Sequence, residues 1–146
     1  MKGTFPLGRV PFAIYGHFVA KLGRMTILFY FLLFLHIIGA SMVVGIWIAN
    51  MKSPTVHPRQ RDGAFVQLIT GIAMMGILPI LHNQNPSEFD PNYFKLGIKF
   101  AVGLAVAVLA FIGARKVRKG EAVSKGLAHG VGGLGLLNVA IATLWQ

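Results

Sequence analysis

Residues Thr26–Ala49 read TILFYFLLFLHIIGASMVVGIWIA, with no acidic or basic residue and a single histidine, His36, near the middle. A bilayer-spanning helix needs about 20 mostly apolar residues, within a range of roughly 17–25. This stretch meets that requirement, and three others follow it: Ala64–Leu81, Phe94–Ala114 and Leu127–Trp145. Backbone N–H and C=O groups find no water in lipid and must pair within their own segment, so each stretch is expected to be a helix. The expected fold is therefore all-α: a polytopic membrane protein with a four-helix transmembrane bundle. It divides into an aromatic and basic interfacial segment, residues 1–25, and a four-helix membrane domain, residues 26–146.

Composition agrees with that reading. Of 146 residues, 55% are hydrophobic and only 12% charged, against about 25% charged in soluble domains. This excludes a disordered chain and weighs against a soluble enzyme. The absence of cysteine excludes disulfides, thiolate metal sites, iron–sulfur clusters and a cysteine nucleophile. The formal charge of +10 would suit nucleic acid, but the cations fall between long apolar runs, so they read as topology signals and no nucleic-acid partner is expected.

Loop one carries Lys52, Arg59 and Arg61, and loop three carries Arg115, Lys116, Arg118, Lys119 and Lys125. Loop two has Glu88 and Asp90 and no cation. The positive-inside rule puts loops one and three in the cytoplasm and both termini outside. The N-terminal segment opposes this with Lys2, Arg9, Lys21 and Arg24, four cations against eight. Its alternation of Phe5, Phe12, Tyr15 and Phe18 with basic residues suits a segment lying on the membrane surface, a loose tail, or an arm on a partner subunit. Pro79 predicts a kink or early end of the second span. Asp90 or Asn92 is expected to cap the third, and Phe89 and Tyr93 to anchor loop two at the interface.

Ionisable residues inside a membrane are costly and are candidate functional groups. His36, at the eleventh position of its span, lies about 15 Å deep at 1.5 Å per residue. It reads either as a haem ligand or proton relay, or as a structural hydrogen-bonding group with Gln67, Thr70 or Asn138 at reachable depth. Lys99 lies about 8 Å into the third span. It either snorkels to the headgroups or meets an anionic group in the bundle. Lys95, one turn earlier, reads as interfacial. His82 and His129 lie at opposite ends of the membrane from each other and away from His36, which argues against a bis-histidine haem. All four acidic residues lie outside the spans, which argues against a proton pump acting alone. The cluster Arg115, Lys116, Arg118 and Lys119 is either the topology determinant or a binding surface for anionic lipid. The glycine-rich stretch Ala128–Gly135 and the pairs Ala128–Gly132 and Ala101–Ala105 suggest close helix packing, whereas Ile27–Leu35 suggests a face toward lipid or a partner.

The motif Leu33–Gly39, LFLHIIG, resembles the first-helix motif of a bacterial family that includes membrane-embedded protoporphyrinogen oxidases and copper-resistance D-type proteins. That resemblance implies a functional His36 and a functional Lys95, with Lys99 as its rival, and a haem cofactor. The wider pattern runs from Gly63–Gly71 through Lys95–Lys99 to Gly132–Val139. It resembles small four-helix accessory subunits that accompany the cytochrome bc–cytochrome c oxidase supercomplex of Gram-positive bacteria. It implies a plasma-membrane protein in an electron-transport chain, with a non-catalytic role, other membrane subunits as partners and no cofactor of its own. A small transporter or lipid-binding protein, with Lys99 on an anionic group, is the third expectation.

Overall fold

The computed structural model describes residues 12–145, with the side chains of residues 12–15 and of Phe18, Val19 and Leu22 excepted. Four helices account for most of them: α1, Phe12–Ala49; α2, Pro58–Gln84; α3, Tyr93–Arg118; and α4, Lys125–Leu144. All four are long and apolar enough to cross a membrane, the first over Gly23–Ala49. Each helix packs on the next in sequence and α4 closes against α1, so the bundle is a ring of antiparallel neighbours.

The helices extend past the apolar runs because their terminal turns are built from polar capping groups. His57 and Gln60 form a reciprocal capping box around Pro58, so α2 begins six residues before Ala64. Asn92, rather than Asp90, caps α3 by accepting from the Lys95 N–H at 3.0 Å. Ser124 caps α4 through the Leu127 N–H at 3.2 Å. After α3 the chain reverses at Gly120, whose φ of +73° is open to glycine at little cost. Pro79 does not end α2, which continues to Gln84. A proline this near the helix end forfeits one hydrogen bond and leaves the remaining turns free to form. Of the interfacial segment expected over residues 1–25, residues 1–11 lie outside the described residues. From Phe12 onward the backbone is helical and continuous with the first span.

Helix contact is made through small residues, because lipid supplies little hydrophobic drive and close approach must supply dispersion instead. A Cβ on Gly39 would lie 2.6 Å from the Gly63 carbonyl, and one on Gly63 would lie 2.8 Å from the Gly39 carbonyl, so α1 and α2 cross with their backbones touching. Val56 of loop one is fully buried and fills a notch at Gly113 of α3. Gly132 receives the face of Trp47, and Gly135 receives Val43, where α4 meets α1. Ala128 and Gly132 are thus buried as expected. Ala101 and Ala105 are not: they face outward, and α3 turns Val106, Ala107, Ala110, Gly113 and Ala114 inward instead. On a helix apolar all round, the sequence does not mark which side will be covered. The run Ile27–Leu35 does present an outer face, with Ile27 70%, Phe31 56% and Phe34 59% exposed.

A cavity that meets a lateral cleft

The small-residue contacts lie mostly in the half of the bundle that carries the basic loops. Toward loop two the helices separate, and a cavity of about 170 Å³ opens between α1, α2 and α3, with Asn138 of α4 at its edge. Its walls are apolar, with Phe29, Met74 and Phe100 among them. A second, wider cleft of about 670 Å³ follows the seam between α1 and α4 past Ala40, Val44, Val139 and Ala142. The two share His36, Gln67, Lys99 and Asn138, so four polar side chains from four different helices form a common floor.

His36 and Thr70 are the fourteenth and thirteenth residues of their 27-residue candidate spans, which puts both at midspan. Thr70 Oγ1 lies 2.6 Å from the Val66 carbonyl, which takes its single proton. Its lone pair therefore accepts from His36 Nδ1–H, at 3.0 Å. This fixes the neutral tautomer of the imidazole and leaves Nε2 as an acceptor or ligand atom. Of the partners expected for His36, Thr70 makes the bond, while Gln67 and Asn138 share its cavity. Gly71 beside the ring keeps the α2 surface low, since a Cβ there would lie 3.4 Å from His36 Cε1.

Asn138 is 9% exposed, and its Oδ1 has no hydrogen-bond partner among the described residues. A buried acceptor left unpaired costs about 1–3 kcal/mol. Lys99 lines both cavities, and none of the ion pairs among the described residues, Arg61–Asp62, Lys116–Glu121 and Lys119–Glu121, includes it. Lys95, its rival, is drawn away instead: its Nζ donates to the Trp145 carbonyl, tying the start of α3 to the end of α4. Phe94 stacks edge-on against the Trp145 ring beside it, centroids 6.0 Å apart.

The remaining candidate residues lie elsewhere. His82 Nδ1 is 2.6 Å from the Phe89 carbonyl at the loop-two end, and His129 Nδ1 accepts from Trp47 Nε1 at 3.1 Å near the basic end. Neither shares a cavity with His36. Loop two is not merely an interfacial anchor: Phe89 is 7% exposed and packs edge-on against Phe29, while Glu88 accepts from the Tyr30 hydroxyl at 2.9 Å. Tyr93, by contrast, is exposed. Arg115, Lys116, Arg118 and Lys119 occupy the last turn of α3 and its cap, where cations suit the helix dipole. Glu121 partly offsets Lys116 and Lys119 at 3.8 and 3.9 Å.

Two groups escaped sequence reading. Gln60, in what reads as loop one, is fully buried and donates to the Val43 carbonyl at 3.0 Å, bracing α2 on α1. Asn138 read only as a possible partner for His36; α4 sets its amide nitrogen against Gly103 of α3, and its oxygen is left without a partner among the described residues. Among the described residues no group of three His, Cys, Asp or Glu side chains is placed to hold a metal ion. No family model, curated protein or solved structure matches the chain.

Proposed function

We propose that this chain binds a membrane-dissolved amphiphile between its helices, and that it does so as a non-catalytic accessory subunit of a larger respiratory membrane complex. The observation that carries the binding reading is the shared floor of His36, Gln67, Lys99 and Asn138, reached through a cleft along the α1–α4 seam. Apolar walls with a few convergent polar groups are the usual form of a small-molecule site. The subunit role draws on the outward aromatic face of α1, with Phe31 and Phe34 free to meet a partner helix. It draws also on the resemblance of the glycine and lysine pattern to supercomplex accessory subunits. Loops one and three, with their eight cations, face the bacterial cytoplasm in this reading, and both termini lie outside. The basic end of α3 then also meets anionic headgroups through Arg115 and Arg118.

Gentle solubilisation of native membranes, followed by affinity capture of the full chain and extraction of bound small molecules, tests both parts. An amphiphile at about one per chain and a co-purifying multisubunit complex are expected. A chain recovered alone removes the subunit role, and a lipid-free chain removes the binding role.

One observation favours a second reading, a haem-binding oxidoreductase of the protoporphyrinogen oxidase type. Thr70 holds the Nδ1–H of His36, as a second-shell group does for a metal-ligating histidine, and Lys99 is placed in the same cavity to meet an acidic substituent. Under that reading a reduced-minus-oxidised visible spectrum of the purified chain shows a stoichiometric haem band, lost in His36→Ala. A flat spectrum removes it.

A further inference from the structure

Resting on the amphiphile-binding reading, the hydrogen-bonding inventory of the cavity specifies the head of the ligand. Its donors are the Lys99 ammonium and the side-chain amides of Gln67 and Asn138. Its acceptors include His36 Nε2, left open because Nδ1–H is given to Thr70, and the orphaned Asn138 Oδ1, which is sealed in the packing and comes to the cavity by a half-turn of the amide about χ2. A carboxylate head satisfies the ammonium but offers no proton to either acceptor. A hydroxyl-bearing ring serves both sides, since each hydroxyl donates one hydrogen bond and accepts others.

Size and depth narrow the class further. A cavity of about 150 Å³ lined by apolar side chains holds a benzene ring, so the space of about 170 Å³ between Phe29, Met74 and Phe100 admits one six-membered ring. A tetrapyrrole would have to lie outside it, in the lateral cleft. His36 and Thr70 sit at midspan, beyond the ordinary reach of a phospholipid headgroup, whereas a ring on an apolar tail dissolves at that depth. The seam past Ala40, Val139 and Ala142 leaves room for such a tail to run out toward lipid.

We infer that the cavity is a binding site for a quinol-class amphiphile, a single hydroxylated ring whose hydroxyls donate to Asn138 Oδ1 and His36 Nε2, one of whose hydroxyl oxygens accepts from Lys99, and whose apolar tail leaves between α1 and α4.

The test uses the full chain in lipid nanodiscs, challenged separately with decyl-benzoquinol, decyl-benzoquinone, palmitate and haemin. Retained probe is quantified after extraction, and the rise in unfolding temperature gives a second readout. The quinol is expected to bind best, with the quinone weaker because it brings no proton for the two acceptors. Asn138→Leu weakens the quinol by about tenfold, in line with the cost of a lost buried hydrogen bond. Ala142→Trp, a change at the exposed mouth of the cleft, weakens it while leaving the polar floor intact, and Lys52→Gln at the basic end leaves it unchanged. Preference for palmitate or haemin overturns the quinol assignment and leaves the amphiphile-binding reading standing. Failure of all four probes to bind a chain that unfolds cooperatively overturns both. Should Asn138→Leu not fold, the ranking of probes on the unaltered chain and the Ala142→Trp result decide the matter.

Discussion

The two halves of the bundle solve the same packing problem in opposite ways. In the half that carries the basic loops, Gly132 and Gly135 admit Trp47 and Val43, Gly113 admits Val56, and Gly39 and Gly63 bring two backbones together. In the half that carries loop two, Gly71 and Gly103 stand among large or polar residues such as Phe29, Met74, Phe100 and Lys99, and the helices part around a cavity. Lipid tails are as apolar as leucine, so a membrane bundle coheres only where atoms approach closely. The tightest small-residue contacts are therefore concentrated where the bundle is held, and the other half is left open. Gln60 belongs with the first half, since its amide is spent on the Val43 carbonyl, whereas the Asn138 oxygen has no such outlet.

That contrast breaks first at Gly132. Gly132→Leu drives a branched side chain into the Trp47 indole, and overpacking of this kind costs about 3 kcal/mol or more. Thermal unfolding in mild detergent should show a drop of many degrees. Gly63→Ala is the next largest, at about 2 kcal/mol, because the added carbon meets the Gly39 carbonyl and Met42 Cβ, neither of which is the free end of a side chain. The counterpart in the open half reverses the sign. A Cβ at Gly76 meets nothing within 4 Å, so Gly76→Ala should raise stability by up to about 1 kcal/mol through helix propensity alone. Equal losses at Gly63 and Gly76 would abolish the distinction between the halves.

Thr70→Val sharpens the same comparison at the floor of the cavity. It removes the acceptor for His36 Nδ1–H at a cost of about 1 kcal/mol. It also frees the ring to take the other tautomer, which nitrogen chemical shifts of labelled histidine report. The smallest effect is expected from Lys95→Met, within about 0.5 kcal/mol, since its bond to the Trp145 carbonyl is exposed. A large loss there would show that α3 and α4 depend on an outer clasp rather than on the glycine contacts.

Much of this was open to reading along the chain. Four apolar stretches, the lack of acid within them and the glycine-rich fourth segment determine a helical membrane bundle with close contacts, because the bilayer leaves a backbone few alternatives. The depth of His36 follows from counting residues, and so does the availability of Thr70 at the same level. The direction of each helix face does not. Ala101 and Ala105 have the spacing of a packing pair and yet face outward, because a span apolar on every side carries no mark of its inward stripe. Helix ends were legible only in part: the polar turn Pro58–Gly63 looked like loop because its helix is set by the His57–Gln60 capping box rather than by hydrophobicity. Lys95 and Lys99, one turn apart, could be separated only by the tertiary structure, which turns one to the Trp145 carbonyl and the other into the cavity. Sequence alone determined that this chain is a four-helix membrane protein, since that depends on length and apolar content within single segments. The meeting of His36, Gln67, Lys99 and Asn138 was decided by tertiary packing, because it depends on how four helices rotate against one another, and glycine contacts at the far end set that rotation.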